Sequence, residues 1–108
     1  MAKMYKLVFT VPLSHGDAVR EAIGKAGAGR YGNYSFASFS SRGVGRFKPE
    51  SGAHPHTGEI GKLTEVEEER VECRVSPELV DDVIAALKRT HPYEVIAYDL
   101  YPLEVREP

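Results

Sequence analysis

The two halves of this chain repeat at a spacing of 64 residues, and that duplication narrows the available folds more than any other feature. Val11 has its counterpart in Val75, Val19 in Val83, Ile23 in Leu87 and Tyr34 in Tyr98. Each half reads strand, helix, strand. Residues Met4 to Val11 alternate, with Tyr5, Leu7, Phe9 and Val11 turned to a core, and Pro12 ends the ladder because it has no N–H to give. Ser14 is placed to cap a helix with Asp17 in its first turn. Val19, Ala22, Ile23 and Ala26 fall at helical spacing, and Gly27 and Gly29 stop that helix. Tyr34 to Phe39 reads as the second strand. Arg42 to Phe47 reads as a hairpin arm or a bulged continuation of it.

The second half opens on Glu68 to Val75, where Val71, Cys73 and Val75 face one way and Arg70, Glu72 and Arg74 the other. Ser76 is expected to cap the next helix, with Pro77 at its first position and Glu78, Asp81 and Asp82 at its positive end. Leu79, Val80, Val83, Ile84 and Leu87 form its apolar stripe, and Lys88 and Arg89 lie at its negative end. Val95 to Leu103 is the last strand. Two strand–helix–strand units sharing one sheet give an α+β, ferredoxin-like βαββαβ sandwich, a four-stranded antiparallel sheet with both helices on one face. The 108 residues suit a single domain, 1–108. The other sheet face is left bare, with Val8 and Tyr98 expected on it, and a bare face invites self-association.

Three stretches carry a family likeness. They are Gly27-Ala28-Gly29-Arg30-Tyr31-Gly32-Asn33-Tyr34 with Ser38-Phe39; Gly43 to Pro49 with Gly52-Ala53 and Gly58-Glu59-Ile60-Gly61-Lys62; and His91-Pro92-Tyr93-Glu94 with Ala97-Tyr98-Asp99. In this order and spacing the chain, from about Tyr5 to Leu103, resembles the insert domain of the Nif-three-like proteins. That insert is in turn similar in fold to the PII signalling proteins and to CutA proteins, both trimeric. His-Pro-Tyr-Glu is similar to a segment of CutA proteins, which are linked to divalent metal tolerance. The resemblance implies a PII/CutA-like fold and a homo-oligomer, with a trimer favoured. The metal-binding halves that flank the insert are missing here, so the chain looks like a free-standing insert. The metal ligands and the cyclohydrolase-like name of some members belong to those halves, and no catalytic residue is carried over.

Gly27 to Gly32 fits a G-x-G-x-x-G string, but these glycines follow a helix and precede a strand. A dinucleotide needs them the other way round, so a helix stop with a tight turn is the better reading. Their free amides could still line a small anion site. His54 and His56 lie in a long, aperiodic loop, Pro49 to Gly61. They are either solvated or a metal pair completed by Glu59, Glu50 or a residue of another subunit. His91 and Glu94 are either a structural helix stop, with His91 on the negative helix end and Tyr93 packed beneath, or ligand groups at a subunit boundary. Cys73 reads as a small buried apolar group. Glu65, Glu67, Glu68 and Glu69 read as a solvated acidic start to a strand.

A formal net charge of −2 and the lack of any basic run exclude nucleic acid as a partner. No apolar stretch is long enough for a membrane span, and the N-terminus runs straight into a strand pattern, so the expected location is cytoplasmic. The leading functional expectation is a small homo-oligomeric binding or regulatory protein rather than an enzyme. Its ligand, a divalent metal or a small anion, would sit between subunits at Gly29, Gly32, Asn33, Gly43, Gly45, His91 and Glu94. An interaction module docking on a protein partner is the alternative, and a metal-dependent hydrolase using the histidine pair is the third.

Overall fold

A computed structural model describes residues 3–106. Four strands and two helices follow in the order β1 (Lys3–Pro12), α1 (Gly16–Lys25), β2 (Phe39–Phe47), β3 (Thr64–Val75), α2 (Val80–Thr90) and β4 (Tyr98–Glu104). The sheet order is β2-β3-β1-β4, every neighbouring pair antiparallel, as the duplicated plan requires. The repeat holds through its first three matches. Val11, Val75, Val19, Val83, Ile23 and Leu87 are all core residues, packed with Leu7, Phe9, Val71 and Cys73 between the sheet and the helices. No helix among the described residues is long and apolar enough to cross a membrane.

The fourth match fails. Tyr98 opens β4, but Tyr34 is outside any strand and meets Tyr31 in an isolated bridge. Residues Tyr34 to Ser38 are irregular and exposed, with Phe36 at φ 61°, and β2 is instead the Phe39–Phe47 arm. The aromatic run misleads because Phe36 packs over Gly24 of α1, where a Cβ would strike its ring. The arm is long because β3 starts at Thr64, four residues before Glu68, whose register partner is Pro12 of β1. Residues 64–67 therefore pair with β2 alone, and the molecule is drawn out to 47 × 22 × 21 Å.

Register also reassigns the sheet faces. Tyr98 pairs with Phe9 and so lies on the helix-covered face, contrary to expectation, whereas Val8 is on the open face. Both helices begin with a turn of 3-10 helix, Leu13–His15 and Pro77–Leu79, and neither Ser14 nor Ser76 makes a side-chain cap. The Ser14 hydroxyl bonds His15 Nδ1 and the Ser76 hydroxyl reaches Met4 Sδ, because Ser14 lies inside its 3-10 turn and Ser76 stands one turn ahead of the α-helix proper. The acidic run is a solvated lead-in only at Glu65 and Glu67, which are exposed: Glu68 and Glu69 are buried inside β3, and Glu69 pairs with Arg20 of α1.

Candidate functional site

The segment after α2 builds a connected polar network with the sheet. The His91 amide donates to the Leu87 carbonyl and Pro92 then ends the helix. The His91 ring does not cap the helix; it turns to the sheet and donates from Nε2 to the Thr10 carbonyl, 2.8 Å away. Its Nδ1 accepts from the Tyr93 amide at 3.2 Å, so both nitrogens are engaged in one neutral tautomer. The Tyr93 hydroxyl crosses the end of the sheet to donate to Glu68 Oε2 at 2.9 Å. Burial, and then the hydrogen bond to the Glu68 carboxylate and its charge, push the Tyr93 phenol well above its ordinary pKa.

Burial also holds His91 below its ordinary value of 6.5, against the opposing pull of the Thr10 carbonyl and Glu68. Below that value the unfolded chain takes up a proton that the folded chain resists, so stability falls as pH falls from 6.5 towards the folded value. The urea midpoint is expected to drop between pH 7 and 5.5 in the parent, and to drop less steeply in His91→Gln. Equal slopes would place the titration elsewhere.

Opposite Glu68 on β2 is Gly43, and next to it Gly45, where a Cβ would overlap the Glu68 carboxylate. The missing side chain is what lets this carboxylate lie flat on the open sheet face. Above it stands the loop between β2 and β3, closed at its base by the Gly61 amide on the Pro49 carbonyl at 2.7 Å. Glu94 Oε1 accepts from the His54 amide at 2.9 Å and ties the loop to the segment after α2. Between the two lies a cavity of about 480 Å³, within the range of small-molecule sites. Its wall includes Glu68, Tyr93, Glu94, His56, Phe47 and Lys48.

Of the ligand residues singled out by sequence, Gly45, Glu50, His56 and Glu94 line this cavity. His91 lies behind it as a support for Tyr93, and Gly43 borders a neighbouring groove of about 230 Å³ with Arg70. The His54 side chain is exposed while its amide holds Glu94. Gly29, Gly32 and Asn33 are elsewhere. The Gly29 amide bonds the Arg74 carbonyl, six residues along β3 from Glu68, so this turn lies roughly 20 Å from the cavity within one chain. Among the described residues no three His, Cys, Asp or Glu side chains converge to hold a metal ion.

Sequence reading missed Glu68, the Tyr93 hydroxyl and His15, whose ring stands 5.7 Å from that of His56. The available signal for Glu68 was Gly43 and Gly45. Glycine at alternate positions of a strand leaves a bare stripe for a long side chain of the next strand. Cys73 is buried as expected, and burial pushes its thiol up to about 11.

No protein-family model matches the chain. It is 53% identical over 100 residues to the GTP cyclohydrolase 1 type 2 homolog of Halalkalibacterium halodurans, a match covering 93% of this chain and 27% of that protein. The chain thus spans about a quarter of the length of the curated relatives it matches. A crystal structure of a Bacillus cereus protein related to NIF3 superposes with a TM-score of 0.84 at 45% identity, over 96% of this chain and 26% of that one. The divalent cation tolerance protein CutA of Archaeoglobus fulgidus superposes at 0.66 and 16% identity, over 96% and 87% of the two chains. The GlnK–ATP complex of Bacillus subtilis does so at 0.64 and 17%, over 95% and 84%. The chain is therefore the counterpart of one domain-length segment of the Nif3-like proteins, and it carries the CutA and PII-like fold.

Proposed function

We propose that this chain is a small-ligand-binding, regulatory domain that works as a homo-oligomer, with its ligand in the cavity over Glu68. The observation that carries this reading is the way three separate segments are pinned around one 480 Å³ space: β2 and β3 by register, the 48–63 loop by Glu94, and the segment after α2 by His91. Such over-determined loops are the usual place for recognition. The likeness to GlnK, solved with ATP, and to CutA, named for divalent cation tolerance, supports it at the level of fold. Self-association is favoured by β2, a nine-residue edge strand exposed along most of its length, with Phe39 68% exposed. A divalent metal at His54 and His56 needs its remaining ligands from a neighbouring copy, since among the described residues no three His, Cys, Asp or Glu side chains converge.

Sedimentation of the chain at micromolar concentration, followed by calorimetric titration with Mg²⁺, Zn²⁺, phosphate, ATP and small amines, tests the proposal. An oligomer, a trimer first of all, with saturable heat for one of them is the expected outcome. A monomer that takes up none of them sinks it.

A second reading, docking on a protein partner, is favoured by one observation: Tyr31, Tyr34, Phe36 and Phe39 cluster exposed at the turn end of the sheet. A stoichiometric partner of the chain, carrying the remaining length of the Nif3-like relatives, would select it over the first.

A further inference from the structure

The charge balance of the cavity narrows its ligand. Glu68 is only 6% exposed, yet among the described residues no Lys, Arg or His forms an ion pair with it; its one recorded partner is the neutral Tyr93 hydroxyl on Oε2. A carboxylate so far out of water is costly without a counter-charge. The two cations at the rim are already engaged, Arg46 with Glu65 at 2.8 Å and Lys48 with Glu50 at 3.4 Å. Glu94 adds a second carboxylate whose hydrogen bond is to a backbone amide, not to a cation. The space therefore carries surplus negative charge, and a phosphate would meet it unfavourably.

The walls are equally selective. The Phe47 and Tyr93 rings stand 6.0 Å apart, an aromatic flank that attracts cations, and the His56 ring stands 6.2 Å from Tyr93. Pro49, Val95 and Ala97 add apolar surface, which suits a carbon skeleton better than a hydrated metal ion.

Resting on the reading of this cavity as the ligand site, we infer that it takes a small organic cation, an amidinium, guanidinium or ammonium group on a flat apolar body, with the charged head on Glu68. The head donates to the Glu68 carboxylate as the Tyr93 hydroxyl does, and the body lies along Phe47 and Tyr93. Gly45 is then a specificity element, since a side chain there would displace the carboxylate.

Benzamidine and its neutral counterpart benzamide separate charge from shape, and calorimetry on the intact chain reads both, with Mg²⁺ and inorganic phosphate alongside. Benzamidine is expected to bind at least about tenfold more tightly than benzamide, and Glu68→Gln to weaken benzamidine about ten- to hundredfold, the scale of a hydrogen bond to a charged group. Tyr93→Phe, which removes only the internal donor, is expected to bind benzamidine at least as tightly as the parent, and it keeps the test decisive if Glu68→Gln does not fold. Equal affinity for benzamide, or a Tyr93→Phe variant that loses benzamidine, overturns the inference. Binding of phosphate or Mg²⁺ but not benzamidine overturns it while sparing the small-ligand reading; binding of none of these probes, nor of Zn²⁺, ATP or small amines, overturns both. NMR shifts of the Gly45 and Tyr93 amides that follow protein dilution rather than added benzamidine assign the space to a side chain of a second copy, and overturn it too.

Discussion

Phe9→Ala is expected to cost about 3–5 kcal/mol, the range for emptying a fully buried aromatic position. Phe9 is the largest fully buried side chain, on the central strand β1, where its register partners are Val71 and Tyr98. Three strands and the helix layer meet at its ring, so little can collapse into the space left behind. Domains of this size hold about 5–15 kcal/mol in total, and the loss is a large share of that. Urea unfolding should show the midpoint shifted with an unchanged slope, and the melting temperature should fall by ~15 °C or more. A loss under about 1 kcal/mol would mean that the core is not packed as described.

Gly29→Ala comes next, and its comparison with Gly32→Ala separates scaffold from ligand roles at the turn that the sequence offered as an anion site. Gly29 has φ 82°, and a Cβ there would run into the Ala37 backbone, whose amide bonds the Gly29 carbonyl at 2.9 Å. Backbone cannot swing aside as a side chain does. The substitution is expected to cost the left-handed penalty of about 1–2 kcal/mol plus the displacement of residues 36–38. Gly32, at φ 56°, has open space around it, and Gly32→Ala should cost the penalty alone, about 1 kcal/mol. Chemical denaturation of both variants measures the gap. Equal costs would mean that the close approach of Gly29 to Ala37 is not real.

These two positions also show what was legible in the chain. The alternation of Leu7, Phe9 and Val11 and of Val71, Cys73 and Val75 encodes burial directly, because a strand with one covered face must repeat every two residues. The helical stripes through Val19 and Val83 do the same at their own period. Together with the repeat they specify the sheet order. The second strand was misplaced because Tyr34, Phe36 and Phe39 are aromatic but exposed, so burial does not explain their type. Both Ser14 and Ser76 stand at helix starts in sequence, yet Ser14 falls inside a 3-10 turn and Ser76 just before one, and propensity alone does not distinguish that turn from the first turn of an α-helix.

The cavity was legible in part. Gly45, His56 and Glu94 carry unusual residue types for their places in the sequence. Glu68 looked like one more member of an acidic run. Only the register that sets it across from Gly43 and beside Gly45, and the turn of the chain that brings Tyr93 to it, distinguish it from Glu65 and Glu67. Contacts between residues 25 apart in sequence are set by topology and leave no local mark. The same holds for Gly29 and Gly45, similar in sequence context and placed at opposite ends of β3.

Backbone amide NMR during titration with the ligand classes above tests the central claim most directly, since it reports where a small molecule lands and not only whether it binds. Saturable shifts centred on Gly45, His56, Tyr93 and Glu94, with Gly29 to Asn33 unmoved, are the expected result. Shifts centred on Gly29 to Asn33, with the residues around Glu68 silent, would contradict it.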